Sequence, residues 1–512
     1  MATTRKVLSL LAATLAAGTV ALGVPPAGAD AAVRPQKVVV FGLDGLNFDK
    51  IAPANAPNLD ALIAGGRRSQ TWLYANPMAP TLSGPGWATI GTGVWPDKHK
   101  VTSNSWGTST NLSRYPDFLT RLEQADSAKS TYAIADWSPL TSNSAGQAIF
   151  TDAIDARVTV SDAQGYARAD AEIAGKAAAQ MTATGPDASF VYFGEIDIAG
   201  HSCGTELPCY NTAIEHSDAH IGTVINAIKA RPTYAEEDWT FLVTTDHGHV
   251  PAGGHGGSTP AERSSFVIEY GPGIAAGVPA IKSKNVDIAN TVLGIHGVTV
   301  DPAWGLDGQR TGTASSDPFD TLIGALQPRV DETGIPSGVL GWTHATPSGW
   351  SIDNTGMGTG GVTEWRGWSM TTDDFWTKTQ RDQQRENNVR ARGVFAVADS
   401  DEWSDKATTG SFTSALVSPG YDVSRARTVA VSFGSHYLKE GNETATVTVS
   451  FDGGAESVVL KYTGDAIAKL EKLAVNVPSG ASRMVVRWRL SHGVNNWYWA
   501  VDNPSAAVIR TR

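Results

Sequence analysis

Five short apolar runs, each bounded by Gly, Asp or Asn and separated from the next by chain that includes helix-like stretches, constrain this chain more than any other feature. They cover residues 37–43, 131–135, 189–193, 240–244 and 265–269 and are rich in Val, Ile, Phe and Tyr. Helical patterning occupies residues 58–64, 116–124, 167–181, 212–230 and 286–295. Strand and helix in alternation predict an α/β domain, a mainly parallel sheet with helices on both faces. In such sheets ligands collect in the crevice outside the carboxyl ends of the strands. Polar residues that follow the runs are therefore expected to meet there, however far apart they lie along the chain.

Seven residues meet that description or lie close to it. Asp44 follows VVVFGL, Ser83 lies in APTLSGPGW, and Asp197 and His201 lie in FGEIDIAGH. Asp246 and His247 follow FLVTT, and His255 lies in GGHGG. An Asp after a strand is common at turns, so Asp44 alone carries little. Asp197 and His201 are four apart, and a helical turn or a tight loop can aim both at one ion. Asp246, His247, His249 and His255 put four candidate ligands within ten residues of one strand end. Buried Asp and His side chains are costly unless paired, and a metal ion is one of the few ways to satisfy such a cluster.

Beyond residue 310 the pattern changes. Residues 311–338 contain TGTASSDP and DETGIPSG and read as a connector with a short apolar island at 322–326. From residue 339 to 512 the helical period disappears. Short alternating segments at 428–433, 445–451, 457–462, 482–490 and 497–501 predict an all-β domain, a jelly roll or sandwich. Nine of the sixteen tryptophans fall there, and core packing is the expected use of most of them. A chain of 512 residues is too long for one ordinary core, which agrees with a catalytic-type domain over 36–310 and a second domain after it. A net charge of -11 argues against specific nucleic-acid binding, which needs basic surface to neutralise phosphates.

The first 31 residues read as an export signal. Arg5 and Lys6 precede an uncharged stretch over 7–24, followed by the small-residue site Ala27-Gly28-Ala29. The stretch approaches spanning length, but half of it is Ala, Gly and Thr, and a cleavage-type site follows it. A secreted protein without stable membrane insertion is expected. Cys203 and Cys209 are the only cysteines, and an even number in an exported chain predicts a disulfide directly after His201.

The order of the motifs over residues 37–309 resembles the alkaline phosphatase superfamily, specifically its type I phosphodiesterase/nucleotide pyrophosphatase branch. The matching elements are the strand before Asp44-Gly45, the Ser83-x-Pro85 turn, and Thr92-Gly93 with Pro96 and His99 beyond it. Asp197-x-x-Gly200-His201, Asp246-His247-Gly248, His255 and the closing Gly-Leu-Asp-Gly at 305–308 complete the set. The resemblance implies two zinc ions, one held by Asp197, His201 and His255 and the other by Asp44, Asp246 and His247, with Ser83 Oγ on the second. Two such ions clamp the attacking and leaving oxygens of an in-line displacement. Ser83 is then the nucleophile on a small phosphate ester or diester.

Gly86 stands where the resemblance implies an Asn that donates to a non-bridging phosphate oxygen. That contact is left to backbone N–H groups, to Asn104 in VTSNSW, or to the ions. Trp87 and Trp106 are candidate walls for substrate, with core packing as the alternative. A sulfatase needs Arg at the position of Trp87 for its maturation, so that route is closed. An alkaline phosphomonoesterase needs a phosphate-gripping Arg, for which Arg67, Arg68 and Arg114 are the nearest candidates. The segments FAVADSDEW and NWYWAVDN resemble jelly-roll modules of secreted hydrolases. For Asp399, Asp401 and Asp502 this resemblance implies either structural calcium or ordinary acidic turns. A glycan- or surface-binding protein built on this module is the alternative of a different class, and the intact set of seven residues argues against it.

Overall fold

The computed structural model describes residues 34–72 and 78–509. The export signal expected over 1–31 lies outside them. The expected apolar runs become β1 (Gln36–Leu43), β3 (Thr131–Ala135), β5 (Ala188–Phe193), β6 (Asp238–Thr244) and β7 (Ser264–Tyr270). Two further strands, β2 (Arg67–Trp72) and β4 (Ala156–Thr159), complete a seven-stranded sheet in the order β2-β7-β6-β1-β5-β3-β4. β1 runs parallel to β5 and β6, and β3 runs parallel to β4 and β5. β7 alone is reversed, pairing antiparallel with β6 and β2. β2 and β4 are the two edges, where part of each strand faces water. That is why RRSQTW and ARVT show no apolar run.

Among the described residues eight α-helices surround this sheet: α1 (Pro57–Gly65), α2 (Ser83–Thr92), α3 (Pro96–His99), α4 (Phe118–Ala125), α5 (Tyr166–Ala183), α6 (Glu195–Cys203), α7 (Pro208–Lys229) and α8 (Asp287–Ile295). β1 shows how both faces are covered. Val39, Phe41 and Leu43 pack with Leu59 of α1, Ile173 of α5 and Ile221 of α7, while Val38 and Val40 pack with Ile90 of α2, Leu119 of α4 and Val292 of α8. A strand buried on both faces reads as a continuous apolar run, hence its legibility in the sequence. In the register of the sheet, Leu43 lies beside Phe193, and Gly42 beside Thr244. The residues that follow these strands therefore emerge at one edge.

The second half is built from antiparallel sheets, chiefly one of seven and one of six strands. Its longest strands are Ala466–Asn476, Arg483–Gly493 and Tyr498–Val508. Trp365, Trp368, Trp376, Trp403, Trp488 and Trp499 are fully buried in its core, the packing role expected for most of the tryptophans. Phe319, Leu322 and Ile335 join the same core, so the apolar part of the connector packs with the β-rich half. Arg392 places two N–H groups on Asp287 at the start of α8, at 2.8 and 2.5 Å, and Arg390 reaches Asp97 at 2.7 Å and Asp307 at 3.3 Å. Among the described residues no helix is long and apolar enough to cross a membrane.

Candidate metal centre

The carboxyl edge of the sheet gathers all seven residues. Asp44 leaves the end of β1 and its N–H donates to Phe193 O at 3.1 Å. Asp246 and His247 follow β6. Asp197 and His201 lie one turn apart on α6, which begins two residues after β5, and His255 lies on the loop before β7. Their ligand atoms fall into two groups, each within 4.8 Å: Asp44, Asp246 and His247, all buried, and Asp197, His201, His249 and His255, more open to solvent.

In the buried group every polar atom but one per residue is already committed. Asp44 Oδ2 accepts from Tyr192 OH at 2.6 Å and from Trp87 Nε1 at 2.9 Å. Asp246 Oδ1 accepts from Gly45 N–H at 3.2 Å. His247 Nδ1 faces Gly248 O at 3.2 Å and so carries the proton. What remains is Asp44 Oδ1 and Asp246 Oδ2, both buried without a hydrogen bond, and His247 Nε2 at 3.5 and 3.3 Å from them. Ser83 Oγ lies 3.3 Å from the same nitrogen. Burial, followed by the charge of Asp197, pushes the Asp44 carboxyl well up. Burial and then Asp44 do the same to Asp246, while burial holds His247 well below its ordinary value. Two buried carboxylates facing one imidazole lone pair repel one another, and a divalent cation reverses that balance. The donor set of two carboxylates and one imidazole fits zinc.

The second group follows the same logic. His255 Nδ1 donates to Thr81 O at 2.7 Å, leaving Nε2 as a lone pair 3.0 Å from His201 Nε2. Asp197 Oδ1 accepts from His249 Nε2 at 2.8 Å and lies 3.5 to 3.6 Å from the other two imidazoles. Burial opposes its ionisation, but the His249 bond and the surrounding histidines prevail and hold the carboxyl down at about 2. Thr81 also donates to Gly257 O and accepts from Gly256 N–H, so it anchors the His255 loop rather than serving as a nucleophile.

Ser83 is the first residue of α2, and its cap position is Leu82. Gly86 N–H is spent on Leu82 O at 3.0 Å, Pro85 has no N–H, and Gly84 N–H donates to Asn104 Oδ1 at 2.8 Å. None of these three positions has an amide free for a phosphate oxygen. Because Oδ1 of Asn104 is taken, its exposed amide group presents two N–H donors beside Ser83. Gly86 has no room for a side chain, since a Cβ there would sit 2.7 Å from Asp246 Cβ and 2.8 Å from its carbonyl oxygen.

The tryptophans correct an expectation. Trp87 is 1% exposed, edge-on to Phe190 and Tyr192, and holds Asp44 from beneath instead of forming a wall for substrate. Trp106 is buried in the core cluster against Trp137 with Nε1 on Gln147 O. Both rings face inward because helices on this face of the sheet need large apolar fillers. The expected disulfide joins Cys203 and Cys209, clipping the end of α6 to the start of α7. Asp399, Asp401 and Asp502 are occupied otherwise: Asp399 takes Trp376 Nε1, Asp401 takes Gln383, and Asp502 takes Arg392 N–H. Both groups of three or more metal-type ligands among the described residues lie at the α/β sheet edge.

An open α/β sheet with two ligand clusters and a serine at its carboxyl edge defines a class of protein before any comparison is made. Residues 38–259 match the family model of type I phosphodiesterase / nucleotide pyrophosphatase. Ectonucleotide pyrophosphatase/phosphodiesterase family member 7 of Mus musculus is 25% identical over 274 residues, 49% of this chain and 57% of the relative. An uncharacterized pyrophosphatase/phosphodiesterase of Schizosaccharomyces pombe is 22% identical over 229 residues, 42% of this chain and 45% of the relative. The chain thus spans about half the length of the curated relatives it matches. Among solved structures, phosphonate monoester hydrolase from Silicibacter pomeroyi overlaps 62% of this chain and 79% of its own, at 15% identity and a TM-score of 0.43.

Proposed function

We propose that the protein is a secreted hydrolase of phosphate esters, of phosphodiesterase/nucleotide pyrophosphatase type, working with two zinc ions and the Ser83 nucleophile. The observation that carries this reading is the meeting of Asp44 Oδ1 and Asp246 Oδ2, both buried without a hydrogen bond, with His247 Nε2, which lies 3.3 Å from the hydroxyl of Ser83. Asp44, Asp246 and His247 hold one ion, and Asp197, His201 and His255 hold the other. When bound, the ions supply Lewis acidity and lower the pKa of the serine hydroxyl. Ser83 Oγ then attacks phosphorus, the bond to the leaving alcohol breaks, and a phosphoryl-serine forms that water hydrolyses. Asn104 donates to a non-bridging oxygen as its charge develops, a contribution of about 3 kcal/mol where such donors have been removed elsewhere.

The arginine positions favour a diester over a monoester. Arg67 and Arg68 open β2 at the opposite edge of the sheet, Arg67 is paired with Glu269 at 2.6 Å, and Arg114 lies over Tyr115. Neither Arg67 nor Arg68, at the start of β2, is placed to grip a doubly charged phosphate at the carboxyl ends of the strands. The Arg5-Lys6 export signal and the disulfide support the extracellular location.

The test compares p-nitrophenyl phosphate, bis-p-nitrophenyl phosphate and the p-nitrophenyl ester of thymidine monophosphate. The diesters are expected to show the higher kcat/KM, and Ser83→Ala to abolish turnover while retaining both ions. Preference for the monoester sinks the diesterase assignment, and full activity in Ser83→Ala sinks the nucleophile.

A further inference from the structure

His249 lies in the metal-ligand cluster yet belongs to neither proposed triad. Its side chain is fully buried, and its backbone is pinned from both sides by Asn47, whose Oδ1 accepts from His249 N–H at 2.7 Å and whose Nδ2 donates to His249 O at 3.1 Å. The ring sits in a slot made by two glycines. A Cβ at Gly45 would come within 2.7 Å of its Nε2, and a Cβ at Gly200 within 2.8 Å of its Cε1. Gly45 adjoins the ligand Asp44, and Gly200 adjoins the ligand His201. Both positions need glycine because the imidazole fills the space a side chain would take.

The two ring nitrogens settle what the imidazole can do. Nδ1 receives the N–H of Gly254 at 3.1 Å, and a backbone amide can only donate. A neutral imidazole accepting at Nδ1 carries its proton on Nε2. That Nε2 faces Asp197 Oδ1 at 2.8 Å, the geometry of a donor to a carboxylate. A protonated nitrogen offers no lone pair to a metal ion. The same ring therefore ties Asp197, on α6, to the amide directly before His255, on the loop.

We propose that His249 is a positioning residue of the more open metal site, rather than its fourth ligand. It fixes Asp197 through Nε2–H and the His255 loop through Nδ1, and so presets two of that site's three ligands. This inference rests on the two-metal reading above. Outer hydrogen-bond partners of ligands are typically worth 10–100-fold in metal affinity.

The experiment titrates the zinc-loaded full-length protein against a chelating dye, for wild type, His249→Ala, His249→Gln and the ligand variant His201→Ala, with thermal unfolding of each metal-free form as the check on folding. Wild type is expected to release two ions in separate steps. In His249→Ala the weaker site should lose about 10–100-fold in affinity while the tighter one is unchanged, and His249→Gln, which keeps an N–H donor, should recover most of that loss. The visible absorption of the cobalt-loaded protein reads the ligand set directly, so at saturating cobalt His249→Ala should keep the wild-type bands that His201→Ala changes. Unaltered affinity at both sites in His249→Ala and His249→Gln overturns the proposal. So do cobalt bands in either His249 variant that shift as they do in His201→Ala, since His249 is then a ligand. If His249→Ala does not fold, His249→Gln carries the test alone, with affinity and bands near wild type expected and a loss equal to that of His201→Ala decisive against it. Wild-type protein that binds no metal refutes the two-metal reading itself, and this inference with it.

Discussion

At the scale of single residues the site is organised by what each polar atom has already given away. Trp87 and Tyr192 fill one oxygen of Asp44 and leave the other for an ion, and neither residue needs to touch substrate to matter. Gly86 is a tight point of the cluster, because the groups a Cβ would strike include the backbone carbonyl of Asp246, which cannot swing aside. Gly86→Ala is expected to displace Asp246, to cost about 1–3 kcal/mol by overpacking, and to lower affinity for the buried ion, read by thermal unfolding and metal titration. Asn104→Ala should lower kcat on a diester by about 100-fold with little change in metal content, since it removes a donor and no ligand. The seven ligand-type residues were legible because strand ends in an α/β sheet converge and Asp, His and Ser have few other uses in that pattern. The roles of Trp87 and His249 were not. A tryptophan beside a nucleophile reads equally well as a wall, and no sequence reveals which nitrogen of an imidazole bears the proton.

At the scale of elements, α6 is the piece on which the more open site depends, and it is held at both ends. At its start, Asp170 of α5 accepts from Gly194 N–H and Glu195 N–H, each at 3.0 Å. Beside Asp170 stands Asp136, just past β3 and 2% exposed, with neither oxygen bonded to a donor. Burial and then the Asp170 carboxyl push Asp136 up to about 10. A carboxyl raised in the folded state binds its proton more tightly there, so its stabilisation is complete in acid and is lost as pH climbs from the ordinary carboxylate range to about 10. Asp136→Asn removes that titration. Its unfolding temperature should rise relative to wild type between pH 6 and pH 9, by an amount equivalent to at most about 1.4 kcal/mol per pH unit. A constant difference across that range rules the pair out as the cause. At its other end α6 is clipped by Cys203–Cys209. Cys203→Ser with Cys209→Ser should cost about 2 kcal/mol for so short a loop, measured by denaturant unfolding. Elements buried on both faces were legible, as β1, β3 and β5 show, whereas β2 and β4 were not. An edge strand keeps part of its length in water and has no apolar run to give it away.

At the scale of the whole molecule, the change of periodicity near residue 339 separates an α/β half from a β-rich half, but nothing in the sequence announces how tightly they join. The joint combines a small apolar cluster, in which Val389 and Ala468 pack with Trp95 and Val286, with an ion pair that spans 105 residues of sequence, the guanidinium of Arg392 lying on the carboxylate of Asp287, which is 1% exposed. Asp287 in turn receives the N–H groups of Lys284 and Gln309, both at 2.9 Å, and so sets the start of α8, which packs against α2. Arg392→Ala leaves that carboxylate buried without its partner, which typically costs about 3–5 kcal/mol. Calorimetry of the wild type should show one cooperative transition, and the variant should lower it as a unit. Two separate transitions in the wild type, or a shift confined to one of them in the variant, contradict a shared joint.

That joint also orders events during synthesis. A chain emerges from its amino end, and a domain ordinarily folds as soon as it is complete. Here both candidate ligand clusters are available once residue 255 has been made, yet Asp287 waits for Arg392, and Asp97 and Asp307 wait for Arg390. The part of the chain that holds both ligand clusters cannot reach its final stability until the β-rich part has arrived. A nascent chain paused between the two therefore presents ligands before a settled scaffold, and any ion captured at that stage is held by a fold still missing its last clamp.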